Sequence, residues 1–253
     1  MNAAEQRSMA PEFAANYRVD LRNRTLGTRH RLVWAAPRAR AGLMRQARDP
    51  DAQAALDMWL AHAWPFIVRR LDAPAEPADA SVIAIGLPLP PSRGKRRLPF
   101  ILPRADIGRH APPPALGEIA RALPTAWQRP LASLDEAALR VGVRFRVFGS
   151  AAWQALTGLD YLQADSDLDL VLRPIDGAEI AAATEILERW EAAEGRRADV
   201  EIVFPREDAV AWREWTNRDA RDASVLLVKN PERVALVRRA ELVARLATSA
   251  ATA

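Results

Sequence analysis

Cysteine and long apolar runs are absent from this sequence, and each absence excludes a kind of site or segment. Without cysteine there are no disulfides and no thiolate metal sites, which favours a reducing compartment, so we expect a cytoplasmic protein. No apolar run reaches membrane-spanning length, and residues 1–28 lack the apolar core of a signal peptide. These 28 residues are predicted to be a partly disordered lead.

Lysine is nearly absent, and the charges are unevenly distributed. Among 36 basic residues only Lys95 and Lys229 are lysines, so a site that needs a compact ammonium group must use one of them. Residues 1–140 contain 21 Arg and Lys against 13 Asp and Glu, whereas residues 141–253 contain 15 against 19. A basic half beside an acidic half suits a metal–phosphate ligand held between them. Biased codon usage, with the charges on solvated faces, is the simpler explanation of the 34 arginines.

Apolar periodicity in the first half predicts a small β-rich N-terminal domain over residues 29–110. One helix is predicted over 49–64, where an aspartate precedes apolar residues at helical spacing. Residues 104–114, which end in a proline run, are predicted to be a linker. The β-like segments are 65–70, 81–89 and 97–103, with a turn over 90–97 that makes the last two a hairpin.

The second half predicts a catalytic domain of α/β or α+β class over residues 115–253, with helices packed on a mixed sheet. Strands alternate with helices, as expected for that class. Strands are predicted at 143–148, 166–172 and 199–204, helices at 115–122, 131–140, 151–158, 177–195, 209–215 and 231–246, and either a strand or the start of a helix at 223–229.

Acidic residues interrupt two of these predicted strands. Strand alternation places Asp167 and Asp169 on one face of the strand over 166–172, opposite its leucines. Two carboxylates about 4 Å apart repel by roughly 4 kcal/mol at an effective dielectric of 20, so the pair needs a cation. Mg²⁺ is the apt ion, because it prefers oxygen ligands and is usually shared with substrate phosphates. Asp199 and Glu201 share one face of the next strand and provide a third acid if the two strands are neighbours.

Gly149 and Ser150 lie where the strand over 143–148 ends and a helix begins. A glycine permits close approach of a phosphate there, and the backbone N–H groups and the helix dipole favour an anion. Neither the Gly-Ser pair nor a single Asp-x-Asp is specific. The ordered set of strand, Gly-Ser, helix, Asp-x-Asp strand and third acidic strand is far more specific, and it predicts nucleotidyl transfer.

This ordered set resembles the DNA polymerase β-like nucleotidyltransferase superfamily. The longer text "GSAAWQALTGLDYLQADSDLDLVL" is similar to one branch, the phosphoribosyl-dephospho-CoA transferases of malonate decarboxylase, also called holo-acyl-carrier-protein synthases. "VIAIGLPLPPSRGKRRLPFILP", "EIVFPREDAVAWREW" and "VLLVKNPERVALV" extend the resemblance over about residues 29–240.

The resemblance implies a specific reaction and a set of site residues. The family transfers 2'-(5''-phosphoribosyl)-3'-dephospho-CoA from its triphosphate form to a serine of the malonate decarboxylase acyl carrier protein and releases pyrophosphate. Carried over by position, Asp167 and Asp169 would bind metal, and Gly149-Ser150 would hold the triphosphate. Family members commonly have Asp-Gly-Glu where this chain has residues 199–201, which leaves open whether Asp199 or Glu201 is the third metal ligand. Asp199 is slightly favoured by the superfamily pattern.

Several other residues have both a structural and a functional interpretation. Ser150 either caps its helix or contacts the ligand. Gln154, on the same helix, is a candidate for substrate contact, with a purely structural role as the alternative. Trp153 is expected in the core. Lys95 and Arg96 belong to a solvated turn or to a clamp on the phosphates or on an acidic carrier protein, and Lys229 is expected to reach the triphosphate from the end of an apolar run.

Two other functions compete with carrier modification. One is a different Mg²⁺-dependent nucleotidyltransferase that acts on a small molecule or a protein. The other is a catalytically silent, nucleotide-binding regulator, against which the intact Asp167/Asp169 pair argues. Binding of nucleic acid is not expected, because no basic patch is interleaved with aromatic residues, and no membrane partner is expected.

Overall fold

Helices and strands are combined in both halves of the computed structural model, which describes residues 28–69, 81–217, 224–230 and 233–250. The described residues up to Pro113, together with Trp153–Tyr161, form one unit. Residues Pro114–Ala152 and the described residues from Leu162 onward form a second unit. The mixed class predicted from the sequence is confirmed. The predicted lead, apart from Thr28, lies outside the described residues. No helix in the described ranges is long and apolar enough to cross a membrane.

The first unit contains an antiparallel sheet of five strands in the order β4-β3-β2-β1-β5. Its hairpin is confirmed, because β3 and β4 pair in register from Val82↔Pro103 to Pro88↔Arg97. The linker predicted over 104–114 is wrong, since residues 107–111 are the edge strand β5, paired to β1. An edge strand that is open to solvent needs few apolar residues, so its pattern did not reveal it. The strands are β1 (Leu32–Ala35), β2 (Phe66–Val68), β3 (Val82–Pro88), β4 (Arg97–Pro103) and β5 (Ile107–Ala111).

The first unit also contains the helices α1 (Arg40–Gln46) and α2 (Pro50–Ala61). The predicted cap of α2 is confirmed, because the Asp49 carboxylate accepts a hydrogen bond from the Ala52 N–H at 2.8 Å. The core forms around Trp59, which is fully buried and whose ring centroid lies 5.8 Å from that of Trp153. Trp153 is therefore a core residue, as expected.

The second unit contains a sheet of six strands in the order β11-β10-β9-β8-β7-β6. β7 and β8 are parallel, and the other neighbouring pairs are antiparallel. The strands are β6 (Phe145–Val147), β7 (Leu168–Leu172), β8 (Ala198–Phe204), β9 (Asp208–Ala211), β10 (Val225–Lys229) and β11 (Val234–Arg238); the helices are α3 (Leu116–Ile119), α4 (Thr125–Arg140), α5 (Gly149–Thr157), α6 (Gly177–Glu194), α7 (Trp212–Trp215) and α8 (Arg239–Ala250). The residues of α5 from Trp153 onward belong to the first unit.

Two predicted helices begin as strands. The helix expected over 209–215 is β9 followed by the single turn α7. The helix expected over 231–246 contains β11, which pairs with β10 from Val225↔Arg238 to Lys229↔Val234, and α8 begins only at Arg239. Pairing with a neighbouring strand overrides local helical spacing here.

Helix α4 is longer than predicted, since it begins at Thr125 and not at residue 131. Pro130 directly precedes the predicted helix start at residue 131. In the structure this proline lies inside the helix and is buried. Its carbonyl accepts a hydrogen bond from the Trp190 side chain of α6 at 2.8 Å. This hydrogen bond joins α6 to α4 at the buried proline.

Alternation along the strands gives the six-stranded sheet two different faces. The apolar face carries residues that are at most 1% exposed, including Leu170, Val200 and Ile202. We define the polar face by Asp169, Asp199, Glu201 and Lys229. These residues share one face because the strands pair as Asp169↔Asp199, Glu201↔Ala211, Val203↔Ala209 and Lys229↔Ala209.

Candidate active site

Two aspartates from neighbouring strands lie side by side on the polar face. Asp169 is the second residue of β7, Asp199 is the second residue of β8, and the two are direct register partners in the parallel pair. Neighbouring strands are about 4.8 Å apart, so both side chains leave the sheet at the same place. The buried neighbours Leu168, Leu170 and Val200 fix this orientation, because each belongs to the apolar face. The predicted neighbourhood of the two acidic strands is thus present.

Asp167 lies in the loop that leads into β7, because the strand begins at Leu168 and not at residue 166 as predicted. Its side chain is 43% exposed, and its Oδ2 lies 3.6 Å from Nε of Arg197, which is 65% exposed. An ion pair this exposed contributes about 1 kcal/mol or less, so a metal ion can replace the arginine at little cost. The backbone of Arg197 also accepts the Leu168 N–H at 2.8 Å, which ties the approach to β8 to the start of β7.

Glu201 is one step further along the same face. Its register partner on β7 is Val171, whereas the partner of Asp199 is Asp169. The structure therefore places Asp199, and not Glu201, beside the second aspartate of the Asp-x-Asp motif.

Gly149 makes room for the Asp169 carboxylate. It adopts φ +63°, and a Cβ added there would lie 2.5 Å from Cγ of Asp169 and closer still to its Oδ2. The Phe148 N–H also donates to the Asp169 carbonyl at 3.0 Å. Helix α5 begins two residues earlier than predicted, so Gly149 and Ser150 form its first turn. The positive end of the helix dipole therefore lies against a carboxylate of the motif.

Lys229 lies on the polar face, but away from the aspartate pair. It pairs with Ala209, which pairs with Val203 of β8, four residues beyond Asp199. With a rise of about 3.4 Å per residue and two inter-strand steps of about 4.8 Å, its Cα is roughly 17 Å from that of Asp199. A contact from Lys229 to the same ligand requires a ligand of triphosphate length or longer.

The remaining predicted substrate-binding residues belong to the first unit. Gln154 accepts a hydrogen bond from the Tyr161 N–H at 3.0 Å, so its side chain holds the turn that follows α5. Lys95 and Arg96 lie in the turn between β3 and β4, and Nη2 of Arg96 is 3.6 Å from Oδ2 of Asp49. Sequence reasoning did not single out Tyr161, which is buried and donates to the Pro88 carbonyl at 2.8 Å. Burial raises the pKa of its phenol, so it remains a donor.

Arg197 was also missed, although a signal for it exists in the sequence. It comes two residues before Asp199, so strand alternation already predicts that it points to the polar face. The adjacent Arg196 lies over the Trp127 ring at 4.0 Å, which shows that the two consecutive arginines have different environments.

The carboxylates fit Mg²⁺ in chemistry, since all are oxygen donors and two of them are register partners. Among the described residues, no three His, Asp or Glu side chains are grouped as a ready metal site. Metal binding by Asp167, Asp169 and Asp199 therefore stays a prediction, in which substrate oxygens would complete the set of ligands.

Comparison with known proteins identifies the family. Residues 28–113 match the phosphoribosyl-dephospho-CoA transferase MdcG N-terminal domain, and residues 115–240 match the C-terminal domain of the same family. The chain belongs to the phosphoribosyl-dephospho-CoA transferase family. It is therefore an enzyme of the nucleotidyl-transferring type, and the resemblance drawn from the sequence is confirmed.

Curated relatives agree with this family over most of their length. A phosphoribosyl-dephospho-CoA transferase of Xanthomonas campestris pv. campestris is 39% identical over 214 residues, which cover 85% of this chain and 95% of the relative. The corresponding proteins of Xanthomonas euvesicatoria pv. vesicatoria and Bradyrhizobium diazoefficiens are 42% and 37% identical over 215 residues, covering 85% of this chain and 95% and 92% of those proteins. No solved structure matches the chain.

Proposed function

We propose that this enzyme transfers 2'-(5''-phosphoribosyl)-3'-dephospho-CoA from its 5''-triphosphate precursor to a serine of the malonate decarboxylase acyl carrier protein. The observation that carries the proposal is the juxtaposition of Asp169 with Asp199 and with the first turn of α5. A carboxylate pair next to the positive end of a helix is suited to a metal-bound phosphate chain. The family and the names of the relatives support the donor.

The reaction is an in-line displacement at the α-phosphorus. The carrier serine oxygen forms a bond to this phosphorus, the bond to the bridging oxygen breaks, the hydroxyl proton passes to solvent, and pyrophosphate leaves. Negative charge grows on the leaving oxygens, so catalysis depends on positioning and on positive charge near them, and no covalent enzyme intermediate is needed.

The chain's own residues orient the donor. We assign Asp167, Asp169 and Asp199 to Mg²⁺, which when bound would neutralise the phosphate oxygens. Gly149 lies beside Asp169, and the first backbone N–H groups of α5, at Gly149 and Ser150, would hold a phosphate oxygen there. Lys229, at the far end of the polar face, would meet the more distant part of a long polyphosphate.

Intact mass spectrometry of the carrier tests this function. The apo carrier is incubated with enzyme, Mg²⁺ and triphosphoribosyl-dephospho-CoA, and its mass should rise by one prosthetic group with release of one pyrophosphate. A carrier in which the acceptor serine is alanine, and a reaction with EDTA, should both remain unmodified. An unmodified wild-type carrier would contradict the proposal, and transfer of AMP from ATP to protein would favour the alternative nucleotidyltransferase.

A further inference from the structure

A cavity of about 670 Å³ lies within the first unit, and none of the carboxylates described above is among its lining residues. Its wall includes the end of α1, the loop between the two helices and strand β4. The charged residues that line it are Arg45, Arg48, Asp49, Arg69 and Arg96. This volume is within the range of about 300–1,000 Å³ that is typical of small-molecule sites.

The wall of the cavity is held in place by one glutamine. The Gln46 side chain donates to the Ile101 carbonyl at 2.9 Å and accepts the Ile101 N–H at 2.8 Å. These two bonds fasten the end of α1 to the outer strand β4 of the sheet. The arginines on the two sides of the cavity therefore belong to segments that the Gln46–Ile101 hydrogen bonds connect.

Positive charge dominates the lining, since four arginines face one acid. Both oxygens of that acid are occupied: Asp49 Oδ1 accepts the Ala52 N–H at 2.8 Å, and Oδ2 lies 3.6 Å from Nη2 of Arg96. A concave site with this excess of guanidinium groups favours phosphate, which arginine binds with paired N–H donors.

Apolar side chains complete the lining. Pro99 of β4 is exposed and Ile101 is half-buried, whereas Leu98, Phe100 and Ala52 of the lining belong to the buried core of the unit. Inorganic phosphate alone would leave this apolar part of the cavity in water, whereas a ligand with a flat or apolar group next to its phosphates would cover both parts.

We propose that this cavity binds a phosphorylated small molecule of the nucleoside diphosphate class, with its phosphates at the arginines and its base or sugar toward Pro99 and Ile101. The lining belongs to the first unit alone, so the proposal does not depend on the transfer reaction. Because ADP is also the nucleotide part of the dephospho-CoA donor, the arginine variants below, tested without carrier protein or Mg²⁺, separate this cavity from the donor site.

Isothermal titration calorimetry on the full chain in EDTA tests the ligand class. ADP should bind at least threefold more tightly than pyrophosphate, adenosine should bind far more weakly than ADP, and the affinity for ADP should fall as salt rises. Equal affinities for ADP and pyrophosphate would overturn the nucleoside part of the proposal. The absence of binding by either ligand would overturn the site.

Charge variants test the location. Arg45→Ala/Arg48→Ala should weaken ADP binding at least tenfold with an unchanged melting temperature. Arg104→Ala, which removes an exposed arginine of the same unit outside the cavity lining, should bind ADP like wild type. Asp49→Asn should bind ADP more tightly, because asparagine keeps the helix cap while the lone negative charge is removed. Wild-type affinity in the double variant, or weaker binding in Asp49→Asn, would place the bound anion elsewhere.

Discussion

The two faces of the six-stranded sheet are made by the same strands, but they differ in how far their side chains are exposed to solvent. On the apolar face, Leu170 and Val200 are fully buried. On the polar face, one residue away along each strand, Asp169 is half-buried and Asp199 is exposed. The sequence period of two therefore separates the residues that stabilise the fold from those available for chemistry.

The polar face is itself divided. Phe148, Val171, Val203 and Ala209 form a small apolar cluster there, whereas the aspartates lie where β7 and β8 begin. Because these two strands are parallel, they begin at the same edge of the sheet, and acids near their starts meet without a special turn. Register, in addition to alternation, therefore determines which acids can act together.

The largest expected effect is that of Asp169→Asn. Turnover should fall at least about 100-fold, because a charge beside the reacting phosphates is lost. Folding should be retained, since the residue lies on the polar face. Turnover in the carrier assay and thermal unfolding measure the two properties, with Asp165→Asn in the exposed preceding loop as a control that should behave like wild type.

The neighbouring Leu170→Ala substitution should have the opposite profile. It removes a fully buried side chain from the apolar face and should lower the free energy of unfolding by about 2–5 kcal/mol. Turnover per folded molecule should stay close to wild type. If the two variants lost turnover equally at a temperature where both are folded, the division of labour between the faces would be wrong.

Gly149→Ala should lower both stability and turnover. The left-handed backbone costs a residue with a Cβ roughly 1–2 kcal/mol, and the added methyl group overlaps the Asp169 carboxylate. Denaturant unfolding and carrier modification should therefore both report a loss. Gly177→Ala, at an exposed helix start with nothing within 4 Å, is the matched control and should be neutral or stabilising. Normal turnover in Gly149→Ala would show that Asp169 is not held in this place.

Asp199→Asn and Glu201→Gln should differ. Loss of Asp199, the register partner of Asp169, should reduce turnover at least about tenfold and should raise the Mg²⁺ concentration needed for half-maximal rate. Glu201, whose partner is Val171, should affect turnover less. Equal and mild effects of both substitutions would remove β8 from the site, and a larger effect of Glu201→Gln would reverse the assignment.

Lys229 should show the smallest effect. Its register position is remote from the aspartates, so Lys229→Arg should change turnover by less than about threefold, which is the order of an exposed ion pair. Lys229→Ala should mainly raise the KM for the triphosphate donor. A fall in kcat at saturating donor in Lys229→Arg would mean that this lysine contacts the leaving pyrophosphate directly, as the sequence led us to expect.

The sequence was sufficient to place the acids on one face, but not to pair them. Alternation around Asp199 and around Asp169 is visible in the text, because a leucine or valine follows each acid. That Asp199, and not Glu201, lies beside Asp169 depends on where β8 enters the sheet after helix α6, which no local pattern encodes.

Two features depend on distant partners and were therefore missed. β11 has helix-like apolar spacing, and only its pairing with β10 makes it a strand. The arginine-lined cavity joins Arg45 and Arg48 to Arg96, which lie about fifty residues apart in the sequence and come together only because α1 is fastened to β4. Local periodicity carries no information about such a junction.

The attachment of Gln46 to Ile101 also affects how the protein avoids self-association. β4 is an outer strand of its sheet, and exposed outer strands offer free N–H and C=O groups to other chains. Here the glutamine amide takes the place of a neighbouring strand at Ile101, while Pro99 and Pro103 in the same strand have no N–H to offer. Gln46→Ala should therefore expose a backbone donor and acceptor at this edge and increase aggregation on heating, independently of any ligand or catalytic step.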